Sequence, residues 1–226
     1  MRSSAMISGV LALLLLVLVA VGWTPLLSFD RSVAESLHRE ALAHPGLTRV
    51  HRVLSDWFWD PVTMRALAAG VVVLLWWWGE RRTALWVAAT TLLAAALQQG
   101  VKALVGRERP LWVDPVDSAR YAAFPSGHAM AATVTCGLLL WVLALRWRPE
   151  WRGWGTLTGA ALVSVLGVGW TRVYLGVHWP SDVVGGWLLG WCCVAVAVLT
   201  YRRGGRRGVP AEPGAGENGG SRMGDT

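Results

Sequence analysis

Apolar residues in this chain do not alternate with polar ones; they run on. Six such runs, 6–23, 62–78, 83–105, 128–145, 154–171 and 182–201, are each long enough to cross about 30 Å of hydrocarbon as a helix. Helices satisfy their own backbone hydrogen bonds in lipid, so the runs predict an all-α, six-span bundle over residues 1–201. Between the first two runs the pattern changes. In "DRSVAESLHREAL", Val33, Leu37 and Ala41 recur at steps of four behind Asp30, which stands where a helix cap would. After His44-Pro45-Gly46, residues Leu47, Val50, Leu54, Trp57 and Phe58 resume the helical spacing. The segment predicts two short amphipathic helices lying on the outer membrane surface. From 202 to 226 the chain is Gly-rich, charged and nearly free of large apolar residues, the composition of a disordered cytoplasmic tail. Self-similarity at a repeat period is absent from the sequence.

Composition agrees with that division. A chain of 226 residues that is 54% hydrophobic and 15% charged holds more apolar surface than one soluble core would bury. Several of the 16 tryptophans (Trp23, Trp76 to Trp78, Trp147, Trp154, Trp179) fall near span ends, where an amphipathic ring suits the headgroup zone. Trp141 and Trp191 sit inside spans and read as core packing. Arg2 ahead of an apolar stretch ending in Ala20 and Gly22 resembles a signal peptide, but the run is longer than a usual signal core and favours a retained anchor. Cys136, Cys192 and Cys193 lie within spans and read as small apolar fillers, not as a disulfide or metal set. His38, His44 and His51 share no ligand spacing with a Cys or carboxylate cluster and read as solvated polar-face residues.

The net charge of +7 raises nucleic acid as a partner, and its placement argues against it. Arg2, Arg81, Arg82, Arg146, Arg148, Arg152, Arg202, Arg203, Arg206 and Arg207 all fall on one side of a six-span layout, the positive-inside pattern that puts both termini in the cytoplasm. The tail arginines then serve topology and anionic headgroups, and no base-reading module accompanies them.

Every unusual polar group falls on the opposite side. "KALVGRERP" carries Lys102, Arg107, Arg109 and Pro110; "FPSGH" opens the fourth span; "TRVYLGVHWPSD" joins the last two with Arg172, His178 and Asp182. One charge at a span end is usually a snorkelling anchor. Converging cations instead need a shared anionic guest, because like charges in a partly dry site repel. In "PSGH", Ser126 caps a helix whose free N–H groups at Gly127 and His128 suit a phosphate. His178 and Asp182 are four apart, so the carboxylate reaches one ring nitrogen and leaves the other nucleophilic; an Asp cap beside an interfacial His fits the same spacing. Two histidines so placed match phosphoryl transfer through a phosphohistidine: His178 attacks phosphorus, His128 protonates the leaving oxygen and then activates water, and Lys102, Arg109 and Arg172 hold the equatorial oxygens. With Asp182 so occupied, no carboxylate cluster is left for Mg²⁺ or Zn²⁺, and neither metal nor cofactor is expected.

These three blocks, in this order, resemble the type 2 phosphatidic acid phosphatase family of integral membrane lipid phosphatases. The family pattern is Lys, six residues, Arg-Pro; Pro-Ser-Gly-His; then Ser-Arg, five residues, His, three residues, Asp. Lys102, Arg109 and Pro110 match the first block, Pro125 to His128 the second, and Arg172, His178 and Asp182 the third. The resemblance implies His178 as nucleophile, Asp182 as its orienter and His128 as acid and base. Lys102, Arg109, Ser126, Gly127 and Arg172 become phosphate binders. It departs at Thr171, where the family has Ser: the hydroxyl stays and a methyl is added. Arg107 falls outside the pattern and reads as a plain loop charge or headgroup contact. The family is also similar to vanadium-dependent haloperoxidases, which are soluble, so the six spans argue against that activity. The implied substrate is a lipid phosphate or diphosphate in the bilayer, of the phosphatidic acid, phosphatidylglycerol phosphate or polyprenyl diphosphate type, processed at the outer surface. A phosphotransferase using the same phosphohistidine, and a non-enzymatic anion-binding or transport protein, are the rival readings.

Overall fold

The computed structural model of the chain describes residues 1–147 and 151–206. These form eight α-helices and no strand: α1 (Arg2–Ala20), α2 (Thr24–Ala43), α3 (Pro45–Val53), α4 (Pro61–Trp77), α5 (Arg81–Val105), α6 (Gly127–Arg146), α7 (Trp151–Tyr174) and α8 (Pro180–Arg206), with a π-helical turn at Leu54–Phe58 joining α3 to α4. Among the described residues, six helical stretches are long and apolar enough to cross a membrane, and they coincide with the six expected spans. The protein is an all-helical, multi-pass membrane bundle. Helix α8 runs past Tyr201 to Arg206, so the first residues of the expected tail continue the last helix. The remainder of that tail, 207–226, lies outside the described residues, as does Arg148.

Local chemistry sets the helix ends that matter for function. Asp60 opens α4, its Oδ2 accepting from the N–H of Val62 at 2.7 Å and Thr63 at 3.4 Å, with Pro61 next in line. Gly106 ends α5 in the left-handed region, φ 59°. Ser126 opens α6, its hydroxyl accepting from Ala129 N–H at 3.5 Å.

Helix α6 is the axis of the bundle, packed by α4, α5, α7 and α8. It contributes Met130, Val134, Leu138 and Trp141 to the main apolar cluster, where they meet Leu75, Val87 and Val194. The α6–α8 crossing is close because α8 presents Gly186 and Gly190. A Cβ on Gly186 would lie 2.7 Å from the Ser126 carbonyl, and one on Gly190 would lie 2.9 Å from Thr133 Cβ. Trp191, read from its mid-span position as core, is 42% exposed on the outside of α8. Mid-span position does not fix which face a residue takes.

The two ends of the bundle differ. At one, Arg82 donates to the Tyr201 carbonyl at 2.7 Å and the Arg146 guanidinium sits 4.2 Å from the Trp78 ring centroid. At the other, α2, α3, the 106–126 loop and the α7–α8 turn come together. The two helices expected between the first two spans are α2 and α3, parted at His44; α2, 20 residues long, packs on α7 and α8, with Val33 and Leu37 against Val173 and Val183. Asp30 is therefore inside α2 and buried, not its cap. His38 is also buried, stacked on Trp112 with ring centroids 4.1 Å apart. Burial lowers its pKa from 6.5, opposed by Asp114. His51 stacks on Tyr174, whereas His44 is exposed as a polar-face residue should be.

Candidate active site

The turn between α7 and α8 is tight because Gly176 adopts φ 69°, and Pro180 restarts the helix. Between them, His178 is held 1% exposed, with Asp182 fully buried one turn on. The imidazole Nδ1 lies 3.3 Å from Asp182 Oδ2, which also accepts the Trp179 N–H at 2.9 Å. Nε2 faces the other way, 3.2 Å from Arg109 Nη1. One tautomer satisfies both neighbours: Nδ1–H donates to the carboxylate and Nε2 keeps its lone pair. Burial, and then the charges of Arg109, Arg172 and Lys102, hold the His178 pKa well below 6.5. At neutral pH the ring is uncharged and its free lone pair points at a guanidinium.

Three cations surround that lone pair. Arg109 is fixed by backbone acceptors, with Nε on the Tyr121 carbonyl at 2.9 Å, Nη2 on Arg120 at 3.2 Å and Nη1 on Val177. Burial lowers its pKa from the ordinary guanidinium range, with Asp182 and Asp117 opposing, and a guanidinium stays charged through the neutral range. Lys102, in the last turn of α5, donates to the Ala122 carbonyl at 2.6 Å. Arg172 donates from Nη1 to Ser55 Oγ at 2.7 Å and lies 3.8 Å from Asp117 Oδ2, while its buried Nε has no hydrogen-bond partner among the described residues.

The N-terminus of α6 closes the circle. Gly127 and His128 open onto the same cleft, and His128 Nε2 lies 3.9 Å from Asp60 Oδ1. Ser126 N–H donates to the Asp182 carbonyl at 2.9 Å, tying the capping residue of α6 to the first turn of α8. The cleft has a volume of about 400 Å³, and Lys102, Arg109, Gly127, His128, Arg172 and His178 all line it. Asp182 and Ser126 stand behind this lining. The Thr171 hydroxyl donates to the Val168 carbonyl of its own helix at 2.8 Å.

Sequence reasoning missed four polar partners. Arg107 is no loop charge: it is largely buried and bridges Asp182 and Asp30. Asp30 carried a capping signal that concealed this pairing. Ser55 lies in the π-helical turn, for which the sequence gives no sign, and Asp60 looks only like the cap it also is. Among the described residues, no three His, Cys, Asp or Glu side chains come together as a metal-ligand set.

With this geometry in place, comparison with known proteins is specific. The PAP2 superfamily model matches residues 83–206. The chain is 43% identical over 68 residues to an undecaprenyl-diphosphatase of Sulfolobus acidocaldarius, covering 30% of this chain and 28% of that one. It is 44% identical over 82 residues to phosphatidylglycerophosphatase B of Escherichia coli, covering 36% and 30%. The match thus spans about a third of the length of these relatives. Among solved structures, a transmembrane PAP2-type phosphatidylglycerolphosphate phosphatase from Bacillus subtilis superposes with a TM-score of 0.75 at 21% identity, over 86% of this chain and 96% of that one. That likeness is one of fold.

Proposed function

As this chain belongs to the PAP2 superfamily, we propose that it is a membrane hydrolase releasing phosphate from a lipid phosphate or diphosphate through a phosphohistidine on His178. The observation that carries this reading is the orientation of His178. Its Nδ1 rests on Asp182 while Nε2 faces a cleft lined by Lys102, Arg109 and Arg172. A protein that only binds or moves anions needs the cations but has no use for a neutral imidazole oriented by a carboxylate.

The phosphate enters among Lys102, Arg109, Arg172 and the N-terminus of α6, where the unpartnered Arg172 Nε gains an acceptor. Its oxygens draw the Arg109 N–H away from His178 Nε2. The lone pair then forms an N–P bond in line with the departing lipid oxygen, which leaves with the P–O electron pair and takes a proton from His128. Asp182 stabilises the charge that develops on the His178 ring. In the second half, His128 takes a proton from water, the water oxygen bonds to phosphorus, and the N–P electron pair returns to Nε2. The cations stabilise the equatorial oxygens in both halves.

A cleft at the end of the bundle opposite Arg82 and Arg146 keeps the lipid chain in the bilayer while its headgroup meets the site. By the positive-inside rule, that end is extracytoplasmic and both termini are cytoplasmic. The relatives' names, an undecaprenyl-diphosphatase and a phosphatidylglycerophosphatase, support the two substrate classes. The test is phosphate release by purified wild-type and His178→Ala protein from a panel of lipid phosphates and diphosphates in excess EDTA. Release by wild type alone is expected. Equal release by both would remove His178 as nucleophile, and dephosphorylation of the lipid only in the presence of an added acceptor, with the phosphate recovered on that acceptor, would make the protein a phosphotransferase.

A further inference from the structure

Behind His178 the structure holds a second layer of charge that the reaction sequence above does not use. Asp182 divides its carboxylate: Oδ2 serves His178 and the Trp179 N–H, while Oδ1 receives Arg107 Nη1 at 2.6 Å. The same Nη1 donates to Ser181 Oγ at 2.7 Å, and Nη2 donates to Asp30 Oδ2 at 2.7 Å. Asp30 is pinned in turn, Oδ1 accepting the Ser181 N–H at 2.9 Å and Oδ2 the Ser181 hydroxyl. The side chains of Arg107, Asp30 and Asp182 are 10%, 1% and 0% exposed.

The geometry points to Arg107 and Asp30 as positioning residues for the phosphohistidine reaction, acting on His178 only through Asp182. Arg107 is not a further phosphate binder. It does not line the cleft, and both of its terminal nitrogens are committed to carboxylates. Stability alone is a poor reason for it, because two buried carboxylates and a guanidinium cost about as much to desolvate as they return, and an apolar filling would serve as well. What the arrangement supplies is a fixed charge. A guanidinium is a planar fork that addresses two carboxylates at once, which a lysine does not. With Asp30 holding one side of the fork, Arg107 pins Asp182 Oδ1 without neutralising the group as a whole. One net negative charge remains behind the imidazole to stabilise the cation that forms when Nε2 attacks. Asp30 comes from α2, outside residues 83–206, so the helix between the first two spans takes part in the chemistry.

This inference rests on the phosphatase reading, and its test separates the two. Purified full-length wild type, Asp30→Asn, Asp30→Glu, Asp182→Asn and the Asp30→Asn/Asp182→Asn double variant are assayed for phosphate release from the best lipid phosphate, with inorganic phosphate as competitive inhibitor. Asp30→Asn should lower kcat roughly 10- to 100-fold, the usual loss when the partner of an orienting group is removed. KM and the phosphate inhibition constant should stay within twofold, about the scatter expected for an untouched cradle. Asp30→Glu should recover part of kcat. In the Asp182→Asn background, Asp30→Asn should cost nothing further, since its route to His178 is gone. An equal loss in both backgrounds, a changed inhibition constant, or an unchanged kcat would overturn the proposal. Arg107→Lys, which keeps a cation but loses the fork, reads the same kcat loss if Asp30→Asn does not fold. Wild-type protein that frees no phosphate from any lipid would overturn the phosphatase reading, and this inference with it.

Discussion

Ser55 and Arg172 stand 117 positions apart in the chain and meet at 2.7 Å, hydroxyl to guanidinium; Arg172 lines the cleft and Ser55 is buried behind it. The contact exists because the helix after α3 widens into a π turn at Leu54–Phe58. Such a turn shifts the side chains that follow it relative to a regular helix. A segment with no motif of its own thereby orients a cation that carries one.

Replacing Ser55 by Ala should loosen that cation. A hydrogen bond to a charged group contributes about 1.5–3 kcal/mol, so the inhibition constant for inorganic phosphate should rise by roughly tenfold or more, with kcat less affected. Inhibition assays at fixed pH read this directly. An unchanged constant would mean that Arg172 holds its position without Ser55.

Asp60 has two functions that two substitutions separate. Asp60→Asn keeps an oxygen for the Val62 and Thr63 N–H groups but removes the charge 3.9 Å from His128 Nε2. It should lower kcat severalfold and leave the melting temperature in detergent unchanged. Asp60→Ala should add a loss of about 1 kcal/mol of stability from the missing cap. If both variants keep full kcat, Asp60 serves only the helix start.

Acid should destabilise the fold through its buried neutral histidines. His178 has a folded-state pKa well below 6.5, and His38 is lowered as well. Below pH 6.5 the unfolded chain binds protons that the folded chain refuses. Stability is therefore fully present above that pH and falls beneath it, by at most about 1.4 kcal/mol per pH unit for His178 while its folded form stays neutral. Melting in detergent at pH 7.5 and 5.5 should show the drop, and His178→Gln should show a smaller one. Equal drops would mean that His178 does not carry the effect.

The α6–α8 crossing should tolerate no added volume. Gly186→Ala places a methyl 2.7 Å from the Ser126 carbonyl and should cost about 1–3 kcal/mol, with activity falling as α6 is pushed from α8. Gly70→Ala, with nothing within 4 Å of its Cβ, is the control and should leave the melting temperature unchanged or higher. Thermal melts and phosphate release on the two variants compare them.

Sidedness is open to direct labelling. Arg120 is exposed beside the cleft, and Arg120→Cys should react with a membrane-impermeant maleimide on intact cells. Reaction only after lysis would place the site on the cytoplasmic side.

What could be read from the sequence follows a physical divide. Hydrocarbon requires an uninterrupted apolar run, so all six spans were visible. That Lys102, Arg109, His128, Arg172 and His178 share one cleft was legible because each belongs to a short spaced block within one segment. Asp30 was misread because its partner Arg107 lies 77 positions away, and a lone Asp in an amphipathic pattern looks like a cap. His38 was misread as solvated for the same reason, since only folding sets Trp112 against it. Trp191 failed differently: apolar on every face, a spanning helix does not announce which side meets lipid. Ser55 could not be read at all, because nothing in "LSDWF" announces a π turn.

The placement of Arg109 beside His178 Nε2 acts as a safety catch on the ring. An uncharged electrophile finds the lone pair already facing a guanidinium that three carbonyls keep from swinging aside. A ligand must bring enough negative charge to claim that N–H before the nitrogen is uncovered. On the proposed mechanism, discrimination against uncharged lipid esters then begins at His178 itself.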